Sequence, residues 1–120
     1  MAAPNLLNLT TATGKVAGLA VTTSATAIVS NGSGSGKCLK INTLIVANIT
    51  GSTATVTVDL YKNAATVFEL MYQATVPANS TLVVIGKTET QLYLEENDSL
   101  RLTAASNSTL EAVCSYEDLS

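Results

Sequence analysis

Along most of this chain apolar and polar residues alternate one by one, and turn-forming residues interrupt the alternation at roughly ten-residue intervals. In "TATVTVDLY" Ala54, Val56, Val58 and Leu60 fall on one side, with Thr53, Thr55, Thr57 and Asp59 on the other. In "VFELMYQATV" Phe68, Leu70, Tyr72, Ala74 and Val76 form an apolar side opposite Glu69, Gln73 and Thr75. In "SLRLTA" Leu100, Leu102 and Ala104 oppose Ser99, Arg101 and Thr103. A period of two is that of a strand with one wet face, because successive side chains of an extended backbone point to opposite faces. No window carries the 3.6-residue period of an amphipathic helix.

The breaks are turn chemistry: "ITGST", "YKNAAT", "VPANS", "GKTET" and "ENDS". Pro77 ends its strand through a fixed φ and a missing N–H. The spacing predicts strands near 15–22, 25–30, 37–47, 53–62, 67–76, 80–86, 91–95, 99–104 and 109–116. The fold class is therefore all-β: an antiparallel β-sandwich, Ig-like or jelly-roll-like, with an extended N-terminal arm. The domain division is an arm over 1–14 and one sandwich over 15–120. A chain of 120 residues can bury roughly 65% of its unfolded surface, enough for a core without staples.

Charge removes several function classes. Charged residues make up 12% of the chain, and the six basic ones, Lys15, Lys37, Lys40, Lys62, Lys87 and Arg101, are scattered singly. Nothing gathers them to neutralise phosphates, so nucleic-acid binding is not expected. There is no Trp, which leaves no platform for stacking sugars or bases. No apolar run reaches the ~20 residues of a membrane-spanning helix. The N-terminus has neither a basic start nor a continuous apolar segment, so a secretory signal is not expected.

Chemistry finds little support. The chain has no His, which excludes His-based nucleophile activation and the commonest transition-metal ligand. "NGSGSGKC" resembles a phosphate-binding loop, but Asn31 stands where the first Gly belongs and Cys38 replaces the hydroxyl. A strand follows it instead of a helix, so a flexible Gly/Ser connection is the expectation. Cys38 and Cys114 are expected to be free thiols, with Cys38 on the outward side and Cys114 on the inward side. Glu95, Glu96 and Asp98 could ligate calcium. They also lie between "LYL" and "LRL", where Asn97 and Asp98 suit a tight hairpin turn, and the turn is the expectation. No enzyme, no cofactor and no metal site is expected.

Two strands break the alternation. "TLIVAN" and "TLVVIG" are apolar on both faces, which predicts that another subunit covers the second face. Leu6, Leu7 and Leu9 crowd an otherwise polar start, which predicts an arm that docks on a neighbour. The expected assembly interface is Leu6, Leu7, Leu9, Leu44, Val46, Val83 and Ile85.

The segments "GKCLKINTLIVANITGSTATVTVDLY", "VPANSTLVVIGK" and "LYLEENDSLRLTAASNSTLEAVCSYEDLS" resemble a group of small β-sandwich virion structural proteins of tailed phages, especially of cyanobacteria and other aquatic bacteria. The likeness runs from about Lys15 to the end, and the C-terminal segment is its most specific part. Within that group the position of Asn97 is more usually Gly and that of Cys38 a larger residue. The resemblance implies a particle component without catalytic residues. The expected function is a capsid decoration or cement protein on the head, assembled in the host cytoplasm. Its partners would be the major capsid protein and further copies of itself, as a trimer. A neck, tail or fibre module, a secreted adhesion or carbohydrate-binding module, and a calcium-dependent binder are the alternatives.

Overall fold

A computed structural model describes residues 4–86 and 92–120, which form nine strands and no helix. The strands are β1 (Ala12–Val21), β2 (Thr26–Ser30), β3 (Cys38–Asn48), β4 (Ala54–Lys62), β5 (Thr66–Val76), β6 (Thr81–Ile85), β7 (Leu92–Leu94), β8 (Ser99–Ala104) and β9 (Leu110–Leu119). One sheet runs β1-β9-β3-β6, with β7 also on β3; the other runs β2-β8-β4-β5. All pairings are antiparallel. The all-β sandwich expected from the alternation is the fold. The pairing is nested: β1 with β9, β2 with β8, β3 with β6 and β7, β4 with β5. Such a hairpin rolled onto itself is the jelly-roll arrangement, not the Ig order.

The two inner faces make one core. Ile41, Leu44, Val46, Leu110 and Cys114 from the first sheet meet Val56, Val58, Leu100 and Leu102 from the second, all essentially without water contact. Each buried aliphatic side chain contributes ~2 kcal/mol of transfer free energy. Leu44, Val46 and Ile85, expected at an assembly interface, belong to this core. The two-sided apolar strands supply the reason: Leu44 and Val46 take the inner face while Ile45 takes the outer, opposite Val83 and Val113. Sequence alone cannot say which parity of such a strand points inward.

Bulges account for displaced residues of β5. Three residues of β5 stand against two of β4 between Ala74 and Met71, and two against one between Met71 and Glu69. Each extra residue reverses the faces downstream. Met71, between the two bulges, therefore turns to the core, and Leu70 and Tyr72, expected inside, are exposed. Phe68, also expected inside and lying beyond both bulges, is back opposite Leu60 and is exposed because β5 is the edge of its sheet. Gln73 takes a φ of 46° at this irregularity, and its N–H donates to Thr57 Oγ1 at 3.1 Å. A further bulge lies in β3 between Ile41 and Thr43.

The arm is shorter than expected. Ala12–Gly14 pair with Leu119–Glu117, and the N–H groups of Thr10 and Thr11 donate to the Ser120 carbonyl at 2.7 and 2.8 Å. Of the described residues only 4–9 precede this pairing. Cys38 and Cys114 are both free. Cys114 faces the core opposite Leu44, and burial pushes its thiol up to about 12. Cys38, expected on an open surface, is buried too, opposite Leu119; burial and then the charge of Glu95 raise its pKa. The six-residue offset along β3 corresponds to ~20 Å, far beyond the ~7 Å Cα separation that a disulfide tolerates.

The β4–β5 connection is Asn63, Ala64 and Ala65, with the turn centred on the first two. Asn63 and Ala64 have φ of 55° and 51°, and the Ala65 N–H donates to the Lys62 carbonyl at 3.0 Å. Two successive positive φ values define the type I′ turn, whose second position favours Gly. Ala64 bears the steric cost of a Cβ there. Ala64→Gly should raise the unfolding free energy by about 1 kcal/mol. The urea midpoint should move up at constant m, whereas an unchanged midpoint would show that the turn stores no strain.

Candidate functional site: an acidic hairpin tip, a polar shoulder and exposed apolar strands

Asp98 answers for the acidic stretch. It lies in the β7–β8 turn, where the Asp98 N–H donates to the Glu95 carbonyl at 3.1 Å and Asn97 takes a φ of 72°. That left-handed conformation suits Gly or Asn. The Asp98 side chain is 1% exposed. Its Oδ1 accepts the Asn63 N–H at 2.9 Å; its Oδ2 accepts the Glu95 N–H at 3.0 Å and Lys62 Nζ at 2.9 Å. Lys62 also donates to Glu95 Oε1 at 2.7 Å, and these two hydrogen bonds raise its pKa while burial opposes them. Glu96 Oε2 accepts the Gly36 N–H at 2.6 Å. The acids thus face protein donors. Among the described residues no group of three or more His, Cys, Asp or Glu is arranged to hold a metal ion.

The Gly/Ser segment is tied down, contrary to the flexible connection expected. Asn31 is buried, and its Nδ2 donates to the Lys37 carbonyl at 2.8 Å and the Leu94 carbonyl at 2.9 Å. Its Oδ1 accepts Ser35 Oγ at 2.5 Å. Gly34 and Gly36, at φ of 66° and 68°, make the reversals that this closure needs. No helix follows, so the amides do not converge on a phosphate as they would at a helix N-terminus.

Beside this loop lies a polar shoulder of about 240 Å³. Ala17, Leu19 and Val21 of β1 pack on the core, so Lys15 two residues earlier points to the same inner side. There it meets Asp118 and Tyr116 of β9, together with Lys37, Ser30 and Ser35. Lys15 Nζ and Lys37 Nζ both donate to Asp118 Oδ2, at 3.0 and 3.1 Å. Burial pushes the Asp118 carboxyl up, but the hydrogen bonds and charges of the two lysines outweigh it and hold the group below the usual carboxylate range. The bond to Asp118 in turn raises the Lys15 pKa.

The wet face of the second sheet carries one more ion pair. Asp59, expected in water, is buried against Arg101, whose Nε donates to Asp59 Oδ1 at 2.8 Å and whose guanidinium lies 4.1 Å from the Tyr61 ring centre. Asp59 and Arg101 are direct partners across β4 and β8. Each was visible as an outward residue; their opposition depends on a register that joins distant segments.

Apolar exposure is concentrated in three places. Edge strand β5 presents Val67, Phe68 (54% exposed), Leu70 and Tyr72 (67%). The outer face of the first sheet carries Val83, Ile45 and Val113 in one cross-strand row, with Val16 nearby on β1. Before β1, the Leu7 N–H donates to Asn5 Oδ1 at 3.0 Å in a tight turn that leaves Leu6 exposed and Leu7 96% exposed, with Leu9 half-buried. Of the residues expected at an interface, Leu6, Leu7 and Val83 are thus accessible and Leu9 partly so. Sequence reading found the β5 strand but missed that its apolar residues are exposed, since its bulges leave no local mark beyond Gln73. Compared with known proteins, the chain matches no family model and no curated sequence.

Asp98→Ala should cost about 3 kcal/mol, because it strips three hydrogen-bond donors of a buried acceptor. Chemical denaturation reads the loss, and calcium should leave the wild-type Tm unchanged; a calcium-dependent rise lost in Asp98→Ala would restore a metal role. The folded pKa of Asp118 lies below its unfolded value, so the pair stabilises above about pH 4 and fades as pH falls through the folded pKa. Wild-type stability should therefore decline more steeply below that pH than that of Asp118→Asn. Parallel acid limbs in urea titrations would remove the contribution.

Proposed function

We propose that this chain is a phage virion structural protein, a capsid decoration or cement protein that stabilises the head by packing between subunits. The observation that carries the reading is strand β5, an edge strand with Val67, Phe68, Leu70 and Tyr72 exposed together. A free monomer rarely leaves such neighbouring apolar side chains in water, and contact with another subunit removes them from it. The bulges in β5 disrupt its edge, so the contact works through side-chain packing more than through strand addition.

Leu6, Leu7 and Leu9 and the row of Val83, Ile45 and Val113 supply further contacts. Repeated by symmetry, weak contacts of this kind hold a shell together without a cofactor. The partners are the major capsid protein and further copies of this chain, which we take to form a trimer. The resemblance of "LYLEENDSLRLTAASNSTLEAVCSYEDLS" to small virion proteins supports the reading. The rolled sandwich is compatible with it, being common in capsid proteins, although it also serves lectins.

Quantitative mass spectrometry of purified particles, against the major capsid protein, tests the proposal. Hundreds of copies per particle are expected. A few tens would move the chain to the neck, tail or fibres, and absence would end the virion reading. The double variant Phe68→Ser, Tyr72→Ser should keep its unfolding free energy within about 0.5 kcal/mol and lose particle occupancy; full occupancy would remove β5 from the interface.

A further inference from the structure

We propose that the polar shoulder between β1, β9 and the β2–β3 loop binds a small oxyanion, a phosphate or carboxylate group, between the ammonium groups of Lys15 and Lys37. The geometry fixes the arrangement. Both ammonium nitrogens reach one oxygen atom, Asp118 Oδ2, at 3.0 and 3.1 Å. Two atoms that share a third at those distances are at most about 6 Å apart. Two positive charges are therefore held together by a single negative one. The chain has only six basic residues and a net charge of -3, so placing two of them here is a concentration that composition alone does not produce.

Within the cluster of Lys15, Lys37 and Asp118 the balance is one positive charge in excess, and the acid beside the loop, Glu96, is held on the Gly36 N–H. At such a separation the two ammoniums repel each other, and Asp118 offsets that only in part. Each ammonium has three donors, of which Asp118 takes one, so two on each remain for an acceptor. Tyr116 from the inner side of β9 lines the shoulder, as do Ser30 and Ser35, whose hydroxyls are engaged with Ser99 Oγ and Asn31 Oδ1. A bridging oxyanion would take hydrogen bonds from both lysines and neutralise the excess.

Size sets the ligand class. About 240 Å³ falls below the ~300 Å³ at which pockets begin to accept drug-sized molecules, so the ligand is a small ion or the terminal group of something larger. The mouth is half open, with both lysine side chains 44% exposed, so a group can enter without unfolding the loop. Asn31 holds that loop closed through the Lys37 and Leu94 carbonyls, which keeps Lys37 in place before any ligand arrives.

The test uses the full chain with inorganic phosphate and, separately, acetate, each against sodium chloride of equal ionic strength. The wild type should gain about 4 °C in Tm at an anion concentration some tenfold above Kd. The gain should vanish in Lys37→Gln and in Lys15→Gln, which also subtracts the general stabilising effect of phosphate. Amide shifts on titration should saturate and centre on Lys15, Gly36, Lys37 and Tyr116. A response to phosphate alone supports a tetrahedral oxyanion; a response to both supports carboxylates as well. No gain over chloride, an equal gain in both lysine variants, or shifts that do not saturate would overturn the proposal. If the variants unfold, the wild-type shift titration alone decides.

Discussion

A carboxylate that water scarcely reaches must find its donors inside the protein, and much of one end of this sandwich is organised around that requirement. Asp98 takes an N–H from the β4–β5 turn, an ammonium from the last residue of β4 and an N–H from its own turn. Its backbone completes the set: the Asn31 N–H donates to the Asp98 carbonyl at 2.9 Å, and the Asn97 N–H to the Asn31 carbonyl at 2.9 Å. Three connections far apart in sequence are thereby fixed to one another. An unpaired buried charge costs several kcal/mol, so these connections cannot open one at a time without exposing it.

The opposite end repeats the device with a neutral group. Asn48, buried at the end of β3, donates through Nδ2 to the Ser52 carbonyl at 2.7 Å and the Val76 carbonyl at 3.0 Å. Its Oδ1 accepts both the N–H and the Oγ1 of Thr50, at 2.9 and 2.7 Å. Asn31 and Asn48 each use a side-chain amide to satisfy carbonyls that the turns leave without strand partners. No buried side-chain nitrogen or oxygen among the described residues lacks a hydrogen-bond partner. Loops closed in this way are poor candidates for moving lids.

Rigid ends change what the apolar surface means. Phe68 and Tyr72 stay exposed beside connections that their own hydrogen bonds hold closed. β5 carries Tyr72 outward because its bulges consume residues without advancing the pairing with β4, and it exposes Phe68, back opposite Leu60, because it is the sheet edge. The same irregularity blunts the strand's edge. A surface with apolar side chains on a disrupted edge favours a defined side-chain contact over open-ended strand stacking. The shoulder at Lys15 and Lys37 is a different kind of surface, small and charged, and it draws on the loop that Asn31 closes.

What the sequence determined by itself was local. Alternation in "TATVTVDLY" and "SLRLTA" set strands and faces, because the two-residue period is a property of extended backbone. Asn63, Pro77 and Asn97 set turns, because φ preferences are properties of single residues. The acidic tip was readable as a turn for the same reason. Tertiary structure decided the rest. It sent Leu44, Val46 and Ile85 to the core and Leu70 and Tyr72 to the surface, because a bulge is a relation between two strands and leaves no certain mark in either. It placed Lys15 and Lys37 on Asp118, Arg101 on Asp59, and Lys62 on Asp98, because ion pairs form between residues that the roll brings together from segments far apart in sequence. It buried Cys38, whose parity pointed outward, because the cover comes from other segments. Side-chain periodicity is written residue by residue, whereas register and charge pairing exist only once the two halves of the rolled hairpin meet.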